Sequence, residues 1–290
     1  MLRDVFVWRR AVFVLIVGLS ALTSVMTLAP AGAAPAAASA YYVALGDSRA
    51  TVASWTAPFV DGCGRGPDSY PLLAATTLGV SVTTRACGGA TTANVTTTPQ
   101  LTLHGFMRPQ IEALPAQTRV VTLSIGGNDI GWWGLISPCF APIFGMDARC
   151  RTNTSMASTI DTALDGLAPK MDTTLRAVHA KAPSARVLVV GHGGYYGAKG
   201  CPGQANISDA DVPVVTRFFD RFNDVLRSAA ARSGAEFVDI ATPARGHDAC
   251  APDALRWFQG NSDALTVQAR HPTPLGRRAM ADIVASAIGR

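Results

Sequence analysis

"RVVTLSIGG", residues Arg119 to Gly127, is an apolar run that ends on a pair of glycines. "ARVLVVG", Ala185 to Gly191, repeats the design. Neither run alternates strictly between apolar and polar residues, so each reads as a strand buried on both faces. Working outward, "YYVAL" (Tyr41–Leu45) runs into Gly46, and "AEFVDI" (Ala235–Ile240) is a further strand. "VSVTTRA" (Val80–Ala86) is more polar, as suits an outer strand. Helical patterns lie between them. Ser155 to Lys181 spaces Ile160, Leu164, Leu167, Met171, Leu175 and Val178 at helical intervals, with Pro169 expected to kink the helix. Asp211 to Ser233 carries Val214, Val215, Phe218, Phe222, Val225 and Leu226. Near the end, Thr273 caps a helix with Pro274 at its first position, and Met280, Ile283, Val284 and Ile288 form one face. Strands alternating with helices predict an α/β domain whose parallel sheet is covered on both sides.

The chain has 290 residues, of which 48% are hydrophobic and 16% charged, enough to bury a substantial core. The net charge of +5 is spread without a long basic run, so a nucleic-acid partner is not expected. Residues 1–40 are of different composition. "MLRDVFVWRR" is basic, "AVFVLIVGLSALTSVMTLAP" carries no charge, and "AGAAPAAASA" offers small-x-small sites at Ala31-Gly32-Ala33 and Ala38-Ser39-Ala40. That order predicts a signal peptide and small-residue linker over residues 1–40, ahead of one folded domain over 41–290. An uncleaved membrane anchor is the alternative, because the apolar run is long enough to span. Export makes the six cysteines (Cys63, Cys87, Cys139, Cys150, Cys201, Cys250) candidates for three disulfides. Six cysteines allow 15 pairings, and none of these has the spacing of a zinc site.

In a parallel sheet, ligands bind beyond the carboxyl ends of the strands. The residues there are Gly46-Asp47-Ser48, Cys87-Gly88-Gly89-Ala90, Gly126-Gly127-Asn128-Asp129 and Gly191-His192-Gly193. A serine at a strand-to-helix turn has a free amide beside its hydroxyl, so Ser48 is a candidate nucleophile. Gly89 offers an amide with no side chain in the way, and Asn128 a side-chain amide. Three donors from three loops would make an oxyanion hole. A Gly-Asp-Ser turn by itself is usually only a turn; the coincidence of all three at strand ends carries the functional reading.

These residues resemble the SGNH (GDSL-type) hydrolase family. "YYVALGDSRA" is similar to its first block, "RACGGATTANV" to the second, "LSIGGNDIGW" to the third and "RHPTPLGRRAM" to the fifth. The likeness covers nearly all of residues 41–290 and is closest to secreted actinobacterial lipases and esterases with three disulfides. It implies a three-layer α/β/α flavodoxin-like fold with a five-stranded parallel sheet. It implies Ser48 as nucleophile, His271 as base, and the amides of Ser48, Gly89 and Asn128 as oxyanion hole. It also implies the sequential disulfides Cys63–Cys87, Cys139–Cys150 and Cys201–Cys250. No metal or organic cofactor is implied.

Two positions depart from the family pattern. Arg49 follows the nucleophile where Leu or Tyr is common; it either alters substrate preference or points to solvent. The usual Asp-x-x-His is replaced by Gln268-Ala269-Arg270-His271. Some members of the secreted actinobacterial group dispense with the aspartate, which implies a Ser48–His271 dyad with the Gln268 backbone carbonyl orienting the ring. A carbonyl fixes the tautomer but lacks the charge that stabilises an imidazolium. Asp248, Asp253 and Asp263 are the carboxylates that could replace it, and His192 is the rival base. The segment Trp132–Arg151 is aromatic and follows the third block; it either lines an acyl pocket or is a surface loop with its aromatics packed beneath. The expected activity is a secreted carboxylic-ester hydrolase, an esterase or lipase, with a lipid or acylated small molecule as substrate. A carbohydrate or cell-wall ester deacetylase and a catalytically silent, surface-anchored binding protein are the alternatives. A transient membrane or cell-envelope contact and a monomeric state complete the expectation.

Overall fold

The structure, a computed structural model, describes residues 41–51, 62–261 and 268–290. The expected signal peptide and Asp263 lie outside the described residues. Five strands form one parallel sheet: β1 (Tyr42–Gly46), β2 (Val82–Thr84), β5 (Val120–Ser124), β6 (Arg186–Val190) and β7 (Glu236–Val238), in the order β2-β1-β5-β6-β7. Every residue of β1 and β5 is buried, whereas β2, at the edge, is only half-buried. That contrast explains why the first two read as continuous apolar runs and β2 as a more polar one. A separate antiparallel hairpin, β3 (Gln100–Thr102) with β4 (Gly105–Met107), stands apart from the sheet.

Helices cover the sheet in pairs. Helix α1 (Tyr70–Leu78) packs on α7 (Pro274–Ile288), and α5 (Thr154–Lys181) packs on α6 (Val212–Ser233). Right-handed crossovers on either side of the point where strand order reverses put these pairs on opposite faces. Helix α5 buries Ile160, Leu164, Leu167, Met171, Leu175 and Val178 and continues through Pro169 as one helix. Helix α6 buries Val215, Phe218, Phe222 and Leu226. The Thr273 side chain accepts the Gly276 amide and starts α7. Helix α1 has no sign in the hydrophobic pattern: "YPLLAATTL" lacks a polar stripe, and Pro71 in its first turn is its clearest start signal. Among the described residues no helix is long and apolar enough to cross a membrane.

Candidate active site

The order of strands reverses between β1 and β5, and in sheets of this kind ligands bind at the carboxyl ends of the strands beside that point. The loops there are stitched to one another by main-chain bonds. The Asp47 amide donates to the Ser124 carbonyl at 2.9 Å, and the Cys87 amide to the Gly46 carbonyl at 3.0 Å. Gly46 has φ +146°, and a Cβ there would collide with the Ser124 carbonyl oxygen, so only glycine lets β1 turn so tightly against β5. Asp47 caps the turn that follows, accepting the Arg49 amide at 3.0 Å. Burial pushes its carboxyl up to about 6, against the opposing pull of the Arg49 amide and charge.

Ser48 opens a single 3₁₀ turn (Ser48–Ala50). Its Oγ lies 2.7 Å from His271 Nε2, across 223 residues of sequence. The ring's Nδ1 lies 2.9 Å from the carbonyl oxygen of Ala269. A carbonyl can only accept, so Nδ1 carries the proton and Nε2 is left to accept from the serine hydroxyl. The orienting carbonyl is therefore that of Ala269, not Gln268. The reason is Arg270, a non-glycine residue at φ +62°. Its left-handed conformation folds the chain back within one residue, and the carbonyl two positions before the histidine meets the ring. Such a conformation costs on the order of 1–3 kcal/mol. Main-chain bonds on both sides hold it: the Arg270 amide donates to Gly260 at 2.8 Å and the Gln259 amide to the His271 carbonyl at 2.9 Å. His271 is pushed down to about 4, with burial the largest cause; its bond to Ala269 opposes this, and the Arg270 and Arg49 charges add to it. Asp253 instead pairs with Arg256, and Asp248 accepts the Cys250 amide.

Among the described residues the amides of Ser48 and Gly89 have no hydrogen-bond acceptor. Gly89 has φ +78°. The Asn128 side chain donates one amide hydrogen to the Ala90 carbonyl at 2.9 Å, which leaves its second hydrogen available and ties the third loop to the second. Asp129 accepts from both the amide and the hydroxyl of Thr92, the first residue of α2 (Thr92–Thr96), and so fixes the chain just after Gly89.

His192 is near this site but built into the core. Its ring packs among Trp132, Tyr195, Phe219 and Phe222 at centroid distances of 4.9–5.7 Å. Asn223 clamps its backbone from both sides, and burial holds the ring well below the usual histidine range. The serine is thus partnered by His271. Arg49 does not point to solvent: it is 3% exposed, and its Nη1 donates to the Gly191 carbonyl at 2.6 Å. Trp132, half-buried, packs on Tyr195 and Phe219. Trp133 faces Phe140 and the guanidinium of Arg270.

The six cysteines form Cys63–Cys87, Cys139–Cys150 and Cys201–Cys250. The first ties the loop carrying Gly89 to the segment before α1. Among the described residues no group of His, Cys, Asp or Glu is arranged to hold a metal ion. Two supporting residues have no signal in the sequence. Gln110 uses both ends of its amide on the Gly46 backbone, at 2.8 Å each, and Gln100 donates to the Gly88 carbonyl at 2.6 Å. Each acts across a fold that a linear pattern does not display.

A serine hydroxyl beside a neutral imidazole, at the switch point of a parallel sheet and flanked by open amides, is the equipment of an acyl hydrolase. The chain belongs to the GDSL-like Lipase/Acylhydrolase family, whose model matches residues 44–279. It is 32% identical to Lipase 2 of Streptomyces coelicolor over 97% of each chain. Among solved structures it is similar to phospholipase A1 from Streptomyces albidoflavus NA297, with 27% identity and a TM-score of 0.68 over 87% of this chain and 100% of that one. It is also similar to the extracellular lipase of Streptomyces rimosus, with 25% identity and a TM-score of 0.67 over 85% and 98%. The flavodoxin-like three-layer fold of SGNH hydrolases and carboxylic-ester hydrolysis follow for this chain.

Proposed function

We propose that the protein is an exported serine esterase or lipase that works through a Ser48–His271 dyad and an acyl-enzyme. The observation that carries this reading is the 2.7 Å contact between Ser48 Oγ and His271 Nε2, with Nδ1 held by the Ala269 carbonyl. Ser48 Oγ attacks the ester carbonyl while its proton passes to His271 Nε2. The oxyanion takes hydrogen bonds from the Ser48 and Gly89 amides and the free Asn128 hydrogen. His271 then returns the proton to the departing alkoxide, and the acyl group stays on Ser48. Water, activated by the same imidazole, releases the acid and restores the serine.

Export rests on the basic, apolar and small-residue order of residues 1–40 and on three disulfides, which persist in oxidising compartments. The test of the site is a fluorophosphonate probe. The native enzyme is labelled at Ser48, and labelling and ester hydrolysis are lost together in Ser48→Ala with the fold intact by circular dichroism. Hydrolysis that survives in Ser48→Ala overturns the dyad.

A further inference from the structure

We infer that Arg49 is a positioning residue for Ser48: its buried side chain crosses the end of β5 and ties the turn that carries the nucleophile to the end of β6. The inference rests on the dyad reading above and adds a device that holds the pair in place. Ser48 sits in a turn of only three residues, Ser48–Ala50. The Asp47 amide fastens the start of this turn to β5, and Gln110 fastens the end of β1 just before it. Arg49 supplies a longer tie. Strand β5 lies between β1 and β6, so Arg49 must pass over the end of β5 to donate from Nη1 to the Gly191 carbonyl at 2.6 Å. Gly191 is a firm anchor. Its amide donates to the Val238 carbonyl of β7 at 2.8 Å, and Asn223 of α6 holds the backbone of the next residue, His192, from both sides. A Cβ at Gly191 would collide with the Phe237 ring and the Val238 carbonyl, so the chain is pressed against β7 at this point. One side chain thereby joins the turn of Ser48 to β6, β7 and α6.

Packing does not account for an arginine here. A buried cation without a carboxylate is costly, and an apolar side chain of like volume serves a core as well or better. Among the described residues no carboxylate pairs with the guanidinium; Asp47 Oδ1 accepts the Arg49 amide instead. The guanidinium carbon lies 5.9 Å from the centroid of the Tyr195 ring. Leu, common at this position in the family, has no donor for the Gly191 carbonyl. The cation adds a fixed charge near the imidazole. Among the described residues the charged and titratable groups that act on His271 are Arg270, Arg49 and His192, the last held neutral by burial. Burial is the main cause that holds the His271 ring neutral, and the two arginines add to it. Asp47, on the other side of Arg49, is pushed up to about 6 by burial, so it has lost its charge before His271 gains one as pH falls. Near pH 4 the Arg49 charge acts on the ring without that offset. Arg49 thus sets Ser48 against a base that still accepts its proton in acid.

The experiment is a pH–rate profile of Arg49 variants on p-nitrophenyl butyrate, with the rate of fluorophosphonate labelling at Ser48 as a second readout. In Arg49→Met, kcat and the labelling rate are expected to fall about tenfold or more with little change in KM, as a misplaced reacting group requires. The acid midpoint of kcat/KM is expected to rise by about half a pH unit or more, because removal of a like charge favours the imidazolium. Resistance to urea should not fall with the activity, since an apolar side chain replaces a buried cation. Arg49→Lys keeps the charge and a donor, and should hold the low midpoint and recover part of the rate. Arg49→Gln keeps a donor without the charge; its midpoint should rise as in Arg49→Met, and it carries the test if Arg49→Met does not fold. A midpoint in the uncharged variants equal to the native one, or a kcat of Arg49→Met within twofold of native, overturns the assignment and leaves the dyad standing. Hydrolysis that persists in His271→Ala overturns the dyad itself, and this inference with it.

Discussion

His271, the proposed base, shows at the scale of one residue how an imidazole is held without a carboxylate. A neighbouring carboxylate would favour the imidazolium and raise its pKa; the Ala269 carbonyl favours it much less, and burial pushes the ring down to about 4. Only the neutral ring accepts the Ser48 proton. With the folded value below the ordinary one, the neutral form persists as pH falls from 6.5 and is lost near 4. The acid limb of kcat/KM, which reports the free enzyme, is therefore expected to have its midpoint nearer 4 than 6.5. A midpoint above 6.5 in a pH–rate profile would mean that an acid, not a carbonyl, faces Nδ1. The side chain at position 268 has no part in this, since the ring is held by the main chain of its neighbour.

At the scale of elements, the site depends on how β1 ends. Gly46 makes the turn into Asp47 and Ser48, and the Gln110 amide fastens its N–H and carbonyl together. Gln110 is 5% exposed, so an apolar replacement leaves the Gly46 amide buried without an acceptor. Gln110→Leu should lose about 1–3 kcal/mol of stability, read by urea unfolding. Turnover should fall with it, because the same turn carries Ser48. A variant as stable as the native chain would mean that the Gly46 amide finds another partner.

At the scale of the whole molecule, three disulfides fasten loops to the carboxyl side of the sheet. The largest encloses a sequence separation of 49 residues, between Cys201 and Cys250. Each is expected to contribute about 2–4 kcal/mol, and mass mapping without reductant should find no free thiol. Reduction should lower Tm by several degrees and inactivate the enzyme, since Cys63–Cys87 holds the loop that carries Gly89. Retained activity in the fully reduced chain would show that the sheet alone positions the proposed oxyanion donors.

Much of this was legible in the chain itself. The runs at 119–127 and 185–191 are apolar because both faces of β5 and β6 are covered, and that is written locally, residue by residue. The strand-end loops, with Ser48, Gly89 and Asn128, were visible for the same reason: short motifs sit where local pattern changes. Tertiary structure alone decided which carbonyl meets His271, because a single left-handed residue at Arg270 moves the acceptor from Gln268 to Ala269. It alone turned Arg49 inward to Gly191 and brought Gln110 to Gly46, 64 residues away. It alone laid Arg270 on Trp133. Periodicity reports which face of an element is buried; what a buried polar group meets there depends on chain that is distant in sequence and near in space.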